Sequence, residues 1–82
     1  MQVSLLFFAA ARDATGQSKV DLDLPPTVAN VAALTVWLGE QYPALVPYLD
    51  SLRIACNEEF VDSAAGISAG DVLAVIPPVA GG

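Results

Sequence analysis

The run Val72-Leu73-Ala74-Val75-Ile76, stopped by Pro77 and Pro78, constrains the fold of this chain more than any other stretch. An unbroken apolar run of strand length predicts a strand with both faces covered, and such a strand belongs at the centre of a sheet. The two prolines fix φ and remove two amide donors, so pairing ends at Ile76 and the chain continues outward in extended form. Gly70 and Asp71 supply the φ > 0 turn that launches the run. At 82 residues there is room for one domain and one core, and a domain of that size buries only about 60% of its unfolded surface. The other segments must therefore build a small sheet around this strand.

From the N-terminus, Val3, Leu5 and Phe7 alternate with Gln2 and Ser4 before Leu6 and Phe8 make both faces apolar, which predicts a central strand over residues 2–8. Residues 9–14 are helix formers closed by Thr15 and Gly16, so one short helical turn or loop is expected. Strict period two over residues 18–24, with Val20, Leu22 and Leu24 inward and Lys19, Asp21 and Asp23 outward, predicts a half-buried strand antiparallel to the first. Pro25 and Pro26 end it. Thr27 is the expected N-cap of a helix carrying Val28, Val31, Leu34, Thr35 and Leu38 on its buried face, with Gly39 and Pro43 ending it near Tyr42. Residues 44–50 read as a connector with room for a helical turn, holding Leu45, Val46 and Leu49 against the core, and Trp37, Tyr42 and Tyr48 as core or edge packing. Residues 53–57 alternate again, with Leu52, Ile54 and Cys56 inward; Glu58 and Glu59 turn into a short strand at Phe60 and Val61, and residues 62–69 form a loop of small residues.

The order β, β, α, β, β, β predicts an α+β fold of the β-grasp type, a mixed sheet of four to five strands crossed by one main helix, with the last strand returning parallel to the first. Residues 1–76 are then the domain and residues 77–82 an extended, flexible C-terminal Gly-Gly tail. With the first and last strands side by side, Phe8 and Ile76 finish at the same edge of the sheet, where the tail leaves, and Phe60 falls nearby. An apolar patch at the root of a tail reads as a partner interface, and a hydrophobic fraction of 55% is enough to supply one. Arg12 and Arg53, two of only three cations, are each a candidate anchor for an acidic partner group, Arg12 at this interface, although ion pairing within the domain serves equally well.

Nine acidic residues against three basic ones give a net charge of −6, which argues against nucleic acid and anionic membrane surfaces and suits a basic protein partner. Cys56 is the single cysteine and there is no histidine, so neither a disulfide framework nor a metal site is expected. By parity Cys56 is a core residue; a persulfide site is the alternative. The sequence opens strand-like, without a basic n-region, and no apolar run approaches 18 residues, from which a soluble cytoplasmic protein is expected.

Gly81 and Gly82 have no Cβ and pass through channels too narrow for a side chain. Extended residues reach about 3.3 Å each, so the stretch from Pro77 through Pro78, Val79, Ala80 and Gly81 to Gly82 can carry the Gly82 α-carboxylate roughly 20 Å into the active site of another protein. That carboxylate is the candidate functional group.

Across essentially its whole length the chain resembles the small, sulfur-carrying subunit of molybdopterin synthase, a ubiquitin-like β-grasp family. The resemblance rests on Val-Ser-Leu-Leu-Phe-Phe-Ala with Arg12 and Gly16, Thr27-Val28, Ala55-Cys56-Asn57 with Phe60-Val61, Gly70-Asp71-Val72, and above all Pro77-Pro78-Val79-Ala80-Gly81-Gly82. It implies that an E1-like enzyme uses ATP to adenylate Gly82 and that a sulfur donor protein displaces AMP to leave a C-terminal thiocarboxylate. The tail then enters the large subunit of the synthase, in a heterotetramer of two small and two large subunits. There the sulfur attacks cyclic pyranopterin monophosphate, and two deliveries build the dithiolene of molybdopterin for molybdenum cofactor biosynthesis. No cofactor is bound permanently, and the chain needs no catalytic base of its own because its partners supply acids, bases and cations. A thiamine-pathway sulfur carrier, a ubiquitin-like modifier conjugated through Gly82 and a plain interaction module with an incidental tail remain the alternatives.

Overall fold

The computed structural model describes residues 1–78, and its sheet follows the alternation in the sequence. Strands β1 (Gln2–Phe7) and β2 (Lys19–Asp23) pair antiparallel, with Val3 opposite Leu22 and Leu5 opposite Val20. Helix α1 (Ala9–Thr15) lies between them and ends on Gly16, whose φ of 69° is left-handed and whose amide donates to the Arg12 carbonyl. Glycine enters that region without a Cβ penalty, so it stops the helix there. Strands β3 (Arg53–Cys56) and β4 (Glu59–Val61) form a hairpin across Asn57 and Glu58, both at positive φ (50° and 73°). Two central residues at positive φ give the turn whose twist matches that of the flanking strands.

Strand β5 (Val72–Ile76) lies parallel to β1 and antiparallel to β3. The resulting five-stranded order is β2-β1-β5-β3-β4, a β-grasp with the apolar run in the middle. Helix α2 (Val31–Gln41) covers one face and sets Val31, Leu34 and Leu38 in a core with Val3, Leu5, Phe7, Leu73 and Val75. Each fully buried aliphatic or aromatic side chain is worth about 1.5–3 kcal/mol. The Phe7 ring also meets Tyr42 edge-on, with centroids 5.4 Å apart.

Four local expectations are corrected. The N-cap of α2 is Asn30, whose side chain accepts from the Ala33 amide at 2.8 Å. Thr27 instead sits in a turn closed by Val28 N donating to Pro25 O, which buries Val28 ahead of the helix. The helix ends where expected, at Gln41 with Tyr42 as its C-cap, but Gly39 lies inside it and does not end it; a Cβ at Gly39 would lie 2.7 Å from Leu49 Cδ1, so the missing side chain is what admits Leu49. The connector is a 3₁₀ helix over Pro43–Ser51. Residues three apart share a face in such a helix, so Leu45 and Tyr48 turn toward the core while Val46 turns out and is 55% exposed. Finally, β5 is central but covered on one face only, since α2 packs on the Leu73 and Val75 side and Val72 remains 38% exposed.

Of the expected tail, Pro77 is buried and Pro78 exposed. Val79, Ala80, Gly81 and Gly82 lie outside the described residues, and with them the carboxylate proposed to act.

Candidate functional site

The face of the sheet turned away from α2 is set by strand register. Leu6 lies beside Ala74, Ala74 beside Ala55, and Ala55 beside Phe60, so one row of outward positions crosses β1, β5, β3 and β4. Paired residues project to the same side of a sheet. The middle of this row is alanine and its ends are Leu6 and Phe60, which leaves a hollow between larger side chains. Val72 and Ile76 on β5 and Phe8 at the end of β1 complete the walls of a groove of about 540 Å³. Its floor is apolar, and the polar contribution comes from Asn57 and Glu58 in the β3–β4 turn.

Two backbone features hold the rim. The Phe8 amide donates to the Val75 carbonyl at 3.2 Å, extending the β1–β5 pairing one residue beyond β1. Ala9 then takes φ 48°, a left-handed conformation that turns the chain sharply into α1 and leaves Phe8 as its extended N-cap, 45% exposed. On the far side Phe60 is 56% exposed, and the Arg53 guanidinium carbon lies 4.2 Å from the centre of its ring. Large aromatic area left in water in this way supplies the energy of association when a partner covers it.

Asn57 fastens the turn at the other end. It donates from Nδ2 to Asp71 Oδ1 and accepts at Oδ1 from the Val72 amide, while Asp71 Oδ2 accepts from the Ser68 amide at 2.8 Å. These bonds to the charged form hold the Asp71 carboxyl below the usual aspartate range, the Ser68 amide contributing most. Burial, followed by the neighbouring Asp71 carboxylate, pushes the Cys56 thiol up. Cys56 packs against the core from the α2 side, so its thiol is neutral at pH 7 and a poor nucleophile.

Phe8, Phe60 and Ile76, expected at a partner interface, are therefore brought together on one groove. Arg12 is not: it is exposed on α1 and does not line the groove. Sequence reading missed Ala55, Ala74 and Val72, whose signal was the outward parity of otherwise apolar strands. It also missed the stacking of Arg53 on Phe60, which depends on a cross-strand diagonal. Among the described residues no group of three or more His, Cys, Asp or Glu side chains could hold a metal ion, and no helix is long and apolar enough to cross a membrane.

Set beside known proteins, residues 5–82 match the model of the ThiS family. The chain belongs to the ThiS family. This ThiS-family chain is 38% identical over 88 residues to a molybdopterin synthase sulfur carrier subunit of Aedes aegypti, covering 100% of this chain and 90% of that relative. Among solved structures it is similar to SAMP1 of Haloferax volcanii, with a TM-score of 0.81 at 27% identity over 100% of both chains. A chain in the complex of subunits 1 and 2 of the molybdopterin-converting factor of Helicobacter pylori shares its fold, with a TM-score of 0.69 at 24% identity over 100% of each chain.

Proposed function

We propose that this ThiS-family protein is the sulfur-carrier subunit of a molybdopterin synthase. The observation that carries this reading is the full-length similarity to a curated sulfur carrier subunit of that enzyme. In the cycle we propose, an E1-like enzyme joins the Gly82 carboxylate to the AMP of ATP, releasing pyrophosphate. Sulfide then attacks the acyl carbon and AMP leaves; where a sulfur donor protein supplies the sulfur as a persulfide, its attack gives an acyl disulfide, and a thiol reduces the S–S bond to release the thiocarboxylate. The product is a thiocarboxylate, a soft nucleophile ionised at neutral pH, whereas the starting carboxylate is a poor electrophile until it carries a good leaving group.

The geometry supports this reading. β5 delivers the chain into Pro77 beside Phe8 and the apolar groove, so a partner that seats its surface there receives the tail from a fixed point. The large subunit of the synthase is the partner proposed for that face during sulfur delivery, in keeping with the two-subunit complex in which the Helicobacter pylori chain was solved. The activating enzyme and the sulfur donor are the further partners, acting in the cytoplasm where ATP is available.

Intact mass after incubation with ATP, a sulfide source and the E1-like enzyme of the source organism tests the proposal. Exchange of one oxygen for sulfur, located at Gly82 by fragmentation, is the expected result. An unchanged mass, with the enzyme shown to be competent on another substrate, rejects it. Similarity to SAMP1, a small archaeal modifier protein, favours a second use of the same carboxylate, conjugation to lysine. C-terminal peptides of this chain, Ile54 to Gly82 after trypsin because Arg53 is the last basic residue, found isopeptide-linked to lysines of other proteins and lost when this chain is deleted, would reveal that use.

A further inference from the structure

We propose that Arg53, stacked on Phe60 at the rim of the groove, is a specificity-determining contact that selects a partner surface carrying a carboxylate beside the apolar side chain it inserts. The proposal rests on the carrier reading for the identity of that partner. Arg53 is one of three cations in a chain of net charge −6, and it occupies a particular place: it is the β3 residue paired with Ile76, the last rung of β5 before Pro77. Arg53 thus stands at the root of the tail, beside Phe60 and just outside the lining of the groove, while Lys19, opposite Leu6, is the other cation on this side of the sheet.

A guanidinium offers five donors in a planar fork. Among the described residues, no carboxylate lies within ion-pair distance of Arg53, and its fork donates no hydrogen bond to the protein. The obvious intramolecular acceptor is Asp62, since continuing the β3–β4 register one step past Ile54 and Val61 sets Asp62 opposite Arg53. Asp62 Oδ1 instead accepts from the Ala64 amide at 2.9 Å in the following turn, and the Arg53 guanidinium lies over the Phe60 ring at 4.2 Å. Stacking fixes the long side chain while leaving its in-plane donors free, so less rotamer entropy is lost when a carboxylate arrives. An acidic chain as a whole attracts basic partners, and a preoriented, unpaired arginine next to an apolar groove asks for the opposite charge at that point. Local complementarity of this kind sets register and partner choice more than total affinity.

The test is the affinity of the full chain for the purified molybdopterin synthase large subunit of its source organism, measured by calorimetry for the wild type and for Arg53→Met, Arg53→Lys and Arg53→Glu. Arg53→Met keeps an unbranched apolar stem over the Phe60 ring and removes the charge. It is expected to weaken binding about tenfold, Arg53→Glu about a hundredfold, and Arg53→Lys less than either. The sign is the decisive part, because both charge-removing variants make the chain more acidic, and total charge alone would strengthen its attraction to a basic partner. Unchanged or tighter binding of Arg53→Glu, in a protein that melts at the wild-type temperature, overturns the assignment while leaving the carrier reading intact. A wild type that forms no complex with the large subunit overturns the carrier reading first, and the Arg53 assignment with it.

Discussion

Asp71 shows how a single side chain couples three segments of this fold. Its carboxylate accepts from the Ser68 amide and from Asn57 Nδ2, and Asn57 in turn accepts from the Val72 amide, so the launch of β5 and the β3–β4 turn are held as one unit. Because those donors lower the Asp71 pKa in the folded state, the contribution is present above the ordinary aspartate value of about 3.9 and is lost as pH falls through the depressed folded value. As pH is lowered below the ordinary aspartate value, the urea midpoint of the wild type is expected to fall more steeply than that of Asp71→Asn, which has no carboxylate to protonate. The group is near the surface, so the effect is modest. Equal slopes in the two proteins would mean that other carboxylates account for the acid sensitivity. Cys56 works the opposite way: its raised pKa is a contribution kept below the ordinary thiol value of about 8.5 and lost as pH rises through the folded value.

At the level of elements, the start of α2 and the free face of the sheet each yield a test. Asn30 caps α2 through the Ala33 amide, and replacing an N-cap asparagine by alanine costs about 1 kcal/mol. Asn30→Ala is therefore expected to lower the urea unfolding free energy by about that amount, with Thr27→Ala, in an exposed turn, closer to neutral. The reverse ranking would return the cap to Thr27. On the free face, Phe60 is more than half exposed, so Phe60→Asp removes little from the core. It should leave the melting temperature within a few degrees while reducing affinity for the synthase large subunit more than about tenfold, as expected of an exposed aromatic anchor that a partner covers. Loss of folding together with binding would show Phe60 to be a structural residue.

On the scale of the whole molecule, the core and the proposed chemistry are separated along the chain. The buried cluster runs from Val3 to Val75, and the carboxylate proposed to carry sulfur belongs to Gly82. Deleting Gly82 is therefore expected to abolish thiocarboxylate formation with no measurable change in melting temperature. A thermal loss comparable to that of a core truncation, about 2–5 kcal/mol, would contradict it. The same separation makes the body of the protein a handle: β1 and β5, parallel neighbours, fix where the chain enters Pro77, and the groove beside that point is the surface we propose for a partner.

Strand identity and order were legible in the residues, because side-chain alternation has a period of two and a mistake of one position would turn Val3, Leu5 and Phe7 into water. The central place of β5 and the left-handed cap at Gly16 were also there to read, the first from an unbroken apolar run and the second from a glycine after helix formers. What the sequence could not separate was the purpose of that run. Leu6, Val72, Ala74 and Ile76 look the same whether a second layer covers them or a partner does, and only the packing of α2 on one face decided that the other stays open. Nor could spacing reveal Asn30 over Thr27, the fit of Leu49 against Gly39, or Arg53 over Phe60. The first depends on where the chain turns into α2, and the other two on how neighbouring elements pack or pair across a connection; local pattern determines which residues face inward without determining what they meet.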